Sequence, residues 1–381
     1  MKYYIIAGEA SGDLHGGNLI REIKKKDAAA NIRGWGGELM QAAGADIVKD
    51  YRDLAFMGFT EVIRNLPTIL RNIKFCKADI VGFQPDLIIF IDYPGFNLRI
   101  AEWARKTGFK NVYYISPQVW AWKESRVKGI RDNVDKMLVI LPFEKAFFQK
   151  WNYETDYVGH PLVEVIERFK SSPEGARPPE IHLPGGNTVR PHLPLIALLP
   201  GSRKQEILKK LPVMLEASRA FPDFQFVVAE APGQDSAFYD EILLDYPHAG
   251  RTKNQTYSLL MHARAACVTS GTATLETALF GVPELICYKG SSISYQIAKR
   301  LIKVKYISLV NLIMDKPVVK ELIQDEMNVE NIVKELKKLV SDETTRHQLN
   351  TDYQALRALL SQGGNASEKA AELIVNFAQK K

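Results

Sequence analysis

The feature that most constrains the fold is the regular alternation of short apolar runs with longer helical patterns along the chain. Each run has the length of a strand and leads through a loop into apolar residues at helical spacing. Strands that alternate with helices predict parallel sheets flanked by helices. The runs predicted to be strands are residues 3–7, 87–91, 112–115, 136–140, 195–199, 224–229, 265–269 and 284–288.

A proline-rich stretch divides these runs into two sets. Residues 171–194 contain two adjacent glycines and repeated prolines but no apolar periodicity, which is typical of a linker or of a surface insertion next to one. The expected N-terminal lobe covers residues 1–170 and the C-terminal lobe residues 195–354. A length of 381 residues suits two such domains. The last segment, residues 355–381, could return to the first lobe, which the sequence alone does not decide.

Composition narrows the class of protein. Apolar residues at 46% and charged residues at 25% match an ordinary globular protein. Three scattered cysteines, Cys76, Cys267 and Cys287, lack metal-ligand spacing and favour a reducing cytoplasm over a disulfide framework or a zinc site. No signal peptide and no apolar run of about 18 residues is visible, so we expect any membrane contact to be peripheral. The net charge of +6 suits either an anionic partner or a solvated surface.

The loops that follow strands are the expected functional positions. Doubly wound sheets bind ligands at the carboxyl ends of their strands, so two such lobes predict an active site in the cleft between them. The first of these loops is expected to span residues 8–17, before a helix over residues 18–26. It contains Glu9 and Asp13, it lacks the G-x-G-x-x-G pattern, and its carboxylates would repel a pyrophosphate. We predict that it contacts an acceptor sugar; the alternative is a tight strand-to-helix turn.

Asp92 is the strongest candidate for a general base. It follows the apolar run at residues 87–91, where partial loss of water would raise its pKa toward that of a useful base. The alternative is that Asp92 caps the next helix, although Asn97 could serve that purpose.

Two loops of the second lobe predict a site for a nucleotide diphosphate. Arg203 follows residues 195–199 and could present a fork of donors to the phosphates. Ser270 and Thr272 flank Gly271 after residues 265–269, at a predicted helix start, and Glu276 could accept the ribose hydroxyls. Simple N-capping is the alternative for Ser270 and Thr272. Neither loop is a P-loop, and we expect the diphosphate to be held without a metal.

Two segments combine apolar and basic residues, a pattern suited to anionic lipid headgroups. One covers residues 56–77 and the other residues 299–305. The alternative for the first is an ordinary core-facing helix. Nucleic acid is disfavoured as a partner because no helix-turn-helix, RNP or zinc pattern accompanies these runs.

Taken together, the motifs resemble those of the lipid-A-disaccharide synthase family, in the order in which that family has them, from residue 3 to about residue 330. The matching segments are residues 8–13, 35–37, 57–58, 61–62, 91–92, 96–97, 116–122, 141–144, 158–161, 199–203, 270–276 and 308–312.

The resemblance implies a GT-B fold, in which two Rossmann-like doubly wound α/β lobes face a central cleft. It implies inverting transfer from UDP-2,3-diacylglucosamine to the 6-hydroxyl of 2,3-diacylglucosamine 1-phosphate, with a β-1,6 bond formed and UDP released, in lipid A biosynthesis of a Gram-negative bacterium. No cofactor is called for. The expected location is cytoplasmic, peripheral at the inner face of the cytoplasmic membrane, and a homodimer is left open.

The resemblance also assigns residues. Asp92 is the base, with Glu9 and Asp13 as further catalytic carboxylates. Residues 120–122 either shape the sugar site or pack. The substrate-binding residues implied are Ser11, Gly12, Asn18 and Asn97 on the acceptor side, and Arg203, Glu206, Ser270, Gly271, Thr272, Thr274, Glu276 and Asn311 on the donor side. The long 171–194 stretch departs from the family pattern and puts the geometry between the lobes in doubt.

Four other functions compete with this one. A UDP-N-acetylglucosamine 2-epimerase or a peptidoglycan N-acetylglucosaminyltransferase would share the nucleotide-binding lobe, but the epimerase needs no lipid-facing surface. A non-catalytic protein that binds the membrane surface would need neither Asp92 nor Arg203. A dehydrogenase is disfavoured because the dinucleotide glycine pattern is missing.

Overall fold

The computed structural model describes residues 1–54, 66–186, 192–290 and 305–380. Two compact units divide the chain. One comprises Met1–Pro161 together with Leu360–Lys381, and the other comprises Leu162–Leu359. The C-terminal segment thus belongs to the first unit, while the described part of the proline-rich stretch belongs to the second.

The first unit is built on a seven-stranded parallel sheet in the order β3-β2-β1-β4-β5-β6-β7. Its strands are β1 Lys2–Ala7, β2 Asn31–Gly36, β3 Asp46–Asp50, β4 Leu87–Ile91, β5 Asn111–Tyr114, β6 Lys136–Val139 and β7 Asp156–Tyr157. The described helices are α1 Ala10–Lys26, α2 Glu38–Ala42, α3 Leu66–Phe83, α4 Pro94–Lys106, α5 Val119–Trp122, α6 Arg126–Asn133 and α7 Glu144–Gln149, and a 3-10 turn covers Tyr51–Leu54.

Helix α8, Pro161–Lys170, passes into the second unit, which is built on a six-stranded parallel sheet in the order β10-β9-β8-β11-β12-β13. Its strands are β8 Leu195–Leu199, β9 Gln225–Ala229, β10 Ala249–Thr252, β11 Ala263–Val268, β12 Glu284–Tyr288 and β13 Lys320–Ile323. The described helices that follow are α9 Lys204–Ser218, α10 Ser236–Leu243, α11 Thr256–His262, α12 Thr272–Phe280, α13 Leu309–Met314, α14 Val329–Ser341 and α15 Glu343–Ser361, with 3-10 turns at Pro184–Gly186 and Gln324–Glu326. Helix α16, Ala366–Gln379, returns to the first unit.

The central strands are buried on both faces, which explains their continuous apolar sequences. Tyr3 and Ile5 of β1 face one core cluster, whereas Tyr4 and Ile6 face another. Side chains of α1 and α16 complete the first cluster, and side chains of α3, α4 and α6 complete the second. The doubly wound architecture predicted from the sequence is therefore confirmed.

The 171–194 stretch does not behave as a free linker in its described part. His182 exchanges two backbone hydrogen bonds of 2.9 Å with Arg251 on β10. Ile181 packs against the core cluster on that side of the second sheet. This attachment explains why the stretch belongs to the second unit.

Each sheet reverses its winding once, between β1 and β4 in the first and between β8 and β11 in the second. At such a switch point the following loops leave to opposite faces and open a crevice at the carboxyl ends of the strands. The loops predicted from the sequence to be functional follow these four strands.

Part of the predicted lipid-facing pattern lies outside the described residues, namely residues 56–65 and 299–304. Among the residues that are described, no helix is long and apolar enough to cross a membrane.

Candidate active site

The turn after β4 has an unusual backbone. Asp92 and Tyr93 both lie in the left-handed region, with φ of 43° and 49°. Such residues cost roughly 1–3 kcal/mol each when they are not glycine, and they persist only where the surroundings enforce them. Gly8 makes room for this turn, because a Cβ there would lie 2.3 Å from the Tyr93 ring.

Two buried side chains hold the turn. The Asn97 amide nitrogen lies 2.8 Å from the Asp92 carbonyl oxygen and 3.3 Å from those of Ile6 and Ile91. The Tyr113 hydroxyl donates to the Asp92 carbonyl at 2.5 Å. Asn97 is fully buried and holds the turn, and the substrate contact implied for it by the family resemblance stays a prediction.

The Asp92 side chain lines a cavity of about 300 Å³ and does not cap α4. Tyr93 is the N-cap residue of that helix, which has no side-chain cap. Burial raises the pKa of Asp92 from 3.8 to about 7, and the negative charges of Glu9 and Glu144 act in the same direction. The cavity is lined by Asp92, Pro94, Ile115, Ser116, Gln118, Ile140, Leu141 and Glu144.

Glu144 is a second carboxyl group at this cavity, which the sequence analysis did not assign. It accepts hydrogen bonds from the Ser116 hydroxyl, from Trp120 Nε1 at 3.1 Å, and from the backbone N–H groups of Ile140 and Leu141 at 3.2 and 2.9 Å. Burial raises the pKa of Glu144 to about 7, although these four hydrogen bonds act to lower it. The segments at residues 116–122 and 141–144 therefore meet at one carboxyl group; the side chain of Trp122 lies outside the described residues.

The expected loop at residues 8–17 is in fact mostly helix, because α1 begins at Ala10 rather than at residue 18. Its glycines serve close packing. A Cβ on Gly12 would lie 3.1 Å from the Cβ of Ala7, and one on Gly16 would lie 2.6 Å from the sulfur of Met40. Only Gly8 and Glu9 remain as the connection, and Glu9 lies at the helix N-terminus close enough to influence Asp92 by its charge.

Asp13 has a structural contact that accounts for its carboxylate. It accepts hydrogen bonds from the backbone N–H groups of Gly37, Leu39 and Met40 at 2.7, 3.1 and 3.0 Å, and so caps α2. Asp13 is buried, and the catalytic role implied for it by the resemblance stays a prediction.

Ser11 and Asn18 lie apart on α1. Ser11 is exposed in the first turn, whereas Asn18 is buried two turns further along and accepts from Arg21 at 2.8 Å. Between them, His15 is buried and its pKa falls to about 4 because of that burial. The pKa of His160 is lowered to about 3 by burial and by the charge of His15. Both histidines are therefore neutral at physiological pH.

In the second unit, the loop after β8 presents Arg203 at the N-terminus of α9. Gly201 has φ of 117°, which favours glycine, and Arg203 is the exposed N-cap residue, 3.8 Å from Glu206. Lys210, which sequence analysis missed, is only 2% exposed; it donates to the Thr269 hydroxyl and lies 3.7 Å from Glu206. An exposed arginine at the start of α9 is thus followed by a buried lysine inside the same helix.

The loop after β11 leads into α12 with Gly271 as the N-cap residue and no side-chain cap. The Ser270 hydroxyl donates instead to the Ile307 carbonyl at 2.7 Å, and Thr272 is exposed. The N-capping alternative for these two hydroxyls is thus not what the structure shows. Glu276 lies one turn inside the helix and accepts from the Tyr257 hydroxyl at 2.6 Å.

Thr274 and Asn311 both make buried contacts within the protein. The Thr274 hydroxyl donates to the Gly271 carbonyl of the loop at 2.9 Å. The Asn311 amide group donates to Val319 at 2.9 Å and to Glu321 at 3.0 Å, and accepts from Val319 at 2.9 Å. Both residues are at most 1% exposed, and the substrate contacts implied for them by the resemblance stay predictions.

The structure thus places the site candidates in two groups, one in each unit. Glu9 and Asp92 lie together at the first switch point, and the loops of Arg203 and Ser270 flank the second. Glu144 could have been found by the rule that singled out Asp92, since it also follows a strand. Tyr257 and Lys210 carry no such sequence signal, because their positions depend on helix packing.

Comparison with known proteins identifies the family. The family model described as lipid-A-disaccharide synthetase matches residues 3–375. The chain belongs to the lipid-A-disaccharide synthase family. A lipid-A-disaccharide synthase of Syntrophus aciditrophicus (strain SB) is 39% identical over 99% of this chain and 97% of its own length. One from Coxiella burnetii (strain CbuG_Q212) is 36% identical over 98% of this chain and 97% of its own.

The resemblance to this family predicted from the sequence is confirmed, and the chain is a glycosyltransferase of lipid A biosynthesis. Solved structures agree on the GT-B fold. The Neisseria meningitidis UDP-GlcNAc 2-epimerase bound to UDP-GlcNAc aligns with a TM-score of 0.67 at 11% identity, covering 100% of both chains. The calicheamicin glycosyltransferase CalG4 aligns with a TM-score of 0.60 at 16% identity, covering 100% of this chain and 98% of its own. These two similarities concern the fold alone.

Proposed function

We propose that this enzyme transfers 2,3-diacylglucosamine from its UDP conjugate to the 6-hydroxyl of 2,3-diacylglucosamine 1-phosphate, with Asp92 as the general base. The observation that carries the assignment of the base is the strained turn after β4, which directs a carboxyl group of raised pKa into a cavity at the first switch point. A base whose pKa lies near the working pH is best suited to take a proton.

In this mechanism the residues of the first unit have distinct roles. Asp92 accepts the proton of the acceptor hydroxyl while that oxygen attacks the anomeric carbon, the bond to UDP breaks, and the configuration inverts. Glu9, beside Asp92 and near exposed Ser11, contacts the acceptor sugar. Asn97 and Tyr113 act as positioning residues because they hold the backbone of the turn and not the substrate.

The second switch point is proposed to hold UDP. The uncapped N-terminus of α12 offers backbone N–H groups of Gly271 and Thr272 to a phosphate. Arg203 and the buried Lys210 add positive charge, which stabilises the diphosphate as it departs. Glu276 accepts the ribose hydroxyls.

We also propose that α3 contacts the membrane surface. Its Cys76 and Ile80 are buried in the core, whereas Leu70 and Phe75 are 56% and 47% exposed beside the exposed Arg71 and Lys74. An exposed face that mixes apolar and basic side chains suits an anionic lipid surface. The buried face of α3 therefore fits the core-facing alternative, and its exposed face fits the predicted contact with lipid headgroups.

The test is to incubate the purified enzyme with both diacylglucosamine substrates in detergent and to follow disaccharide and UDP by mass spectrometry. We expect Asp92→Asn to lower kcat by about 10²–10⁴-fold with UDP affinity retained, because the amide cannot take the proton. Glu102→Gln, an exposed carboxylate on α4, is the matched control. Turnover by Asp92→Asn at the wild-type rate would remove Asp92 from the mechanism.

A further inference from the structure

We propose that Tyr257 is a positioning residue for the nucleotide, holding Glu276 in the orientation and charge state needed to bind the ribose hydroxyls of UDP. The inference rests on the proposed function, because it concerns how that site recognises its nucleotide. It adds a residue from the first turn of α11 to a site otherwise built from the loops after β8 and β11.

The contact itself is short and directional. The Tyr257 hydroxyl donates to Glu276 Oε1 at 2.6 Å, the length of a strong bond to a carboxylate. A carboxylate accepts about four hydrogen bonds, so this one leaves room for two ribose hydroxyls. The backbone position of Glu276 is fixed because the residue lies inside α12.

Burial and the hydrogen bond from Tyr257 act on the charge of Glu276 in opposite directions. Burial raises the pKa of Glu276, whereas the hydrogen bond from Tyr257 lowers it. An ionised carboxylate accepts more strongly from the two hydroxyls of a ribose than a carboxylic acid does, because its bonds are charge-assisted and none of its positions is used to donate. The bond from Tyr257 therefore favours the form that the ribose needs.

Tyr257 is held in turn by aromatic packing. Its ring lies 5.4 Å from Phe169 at 78° and 5.1 Å from Phe280 at 57°, and those two rings lie 6.1 Å apart at 83°. Edge-to-face contacts of this kind fix ring orientation. Lys170, next to Phe169, donates to the Leu279 carbonyl at 2.8 Å and ties α8 to the end of α12. The hydroxyl is thus aimed at Glu276 by a cluster drawn from three helices.

The experiment compares the affinities of the full-length enzyme for UDP and 2′-deoxy-UDP by calorimetry. We expect the wild type to prefer UDP by about tenfold, and Tyr257→Phe to lose most of that preference, because it removes one oxygen and keeps the ring. Tyr246→Phe is the matched control, since the Tyr246 hydroxyl also donates to a glutamate, Glu216 at 3.2 Å, but on an exposed surface.

A second variant, Glu276→Gln, keeps the test decisive if Tyr257→Phe folds poorly. It is expected to bind UDP and 2′-deoxy-UDP equally. Full retention of the preference in either variant would overturn the proposal. If the wild-type enzyme binds no UDP, the proposed donor site as a whole is overturned, and this inference with it. If the wild-type enzyme binds UDP without any preference over 2′-deoxy-UDP, only the role of Tyr257 and Glu276 is overturned.

Discussion

Two carboxyl groups with raised pKa values meet at the cavity beside β4. Both Asp92 and Glu144 titrate at about pH 7, and burial is the largest cause in each case. Groups from several elements also act on the pKa of Asp92: the charges of Glu9 at the start of α1 and Glu144 at the start of α7 raise it, and the backbone N–H of Tyr93 in the turn lowers it. The protonation state of the base is therefore set by tertiary neighbours.

The pH dependence of catalysis should reveal these neighbours. A base must be ionised, so kcat/KM should fall about tenfold per pH unit below about pH 7, as Asp92 becomes protonated. Glu9→Gln removes a negative charge that raises the pKa of Asp92, so the fall should move to lower pH. A pH–rate profile of the variant measures this shift, with Glu102→Gln as control. An unshifted profile would show that Glu9 does not act on the base.

At the scale of single elements, glycines decide how closely α1 approaches its neighbours. Gly12, Gly16 and Gly17 predict a loop when taken as local signals, because glycine disfavours a helix interior. In the structure they lie inside α1, where a Cβ on Gly17 would be 2.9 Å from the Leu39 carbonyl oxygen. Close packing of α1 on β1, β4 and α2 outweighs the local preference.

Helix α3 carries the prediction about the membrane surface. We expect the double variant Leu70→Ser with Phe75→Ser to bind vesicles containing anionic lipid at least about tenfold more weakly, because two apolar side chains no longer enter the interface. Flotation with vesicles measures the loss. Leu244→Ser is the matched control, since Leu244 is 69% exposed but lies in the second unit. Equal binding by the double variant and the control would exclude this face of α3 as the contact.

At the scale of the whole molecule, the first unit is completed by residues from both ends of the chain. Ala370, Ala371, Ile374 and Val375 of α16 are buried in the same cluster as Leu19, Ile20 and Ile23 of α1. This core cluster is therefore complete only when α16 is in place.

We expect Ile374→Ala to lower the free energy of unfolding of the first unit by about 2–5 kcal/mol, the cost of emptying a buried isoleucine site. All five tryptophans lie between residues 35 and 151, so urea unfolding followed by tryptophan fluorescence reports on this unit. Glu372→Ala, on the exposed side of the same helix, and Leu336→Ala, in the core of the second unit, should leave that transition in place. An unchanged midpoint for Ile374→Ala would contradict the packing of α16 described here.

The sequence by itself determined the central strands and therefore the fold class. Residues such as 87–91 and 195–199 are buried on both faces, so each has an uninterrupted apolar sequence that local analysis detects. The strands that it missed include the sheet edges β3, β7, β10 and β13, and also the interior strand β2. These strands are short or contain charged, polar or glycine residues, so none has an uninterrupted apolar sequence. Asp92 and Arg203 were also predictable, since they follow such central strands.

Only the tertiary structure decided what the polar side chains near those strands do. Asp13 and Asn97 come from the same set of family motifs as Asp92 and Arg203, yet they bind backbone groups from segments distant in sequence. Tyr257 and Glu144 acquired their partners in the same way. A side chain's hydrogen bonds and pKa depend on neighbours that only folding brings together. The burial of a central strand, by contrast, can be predicted from the apolar residues of the strand itself.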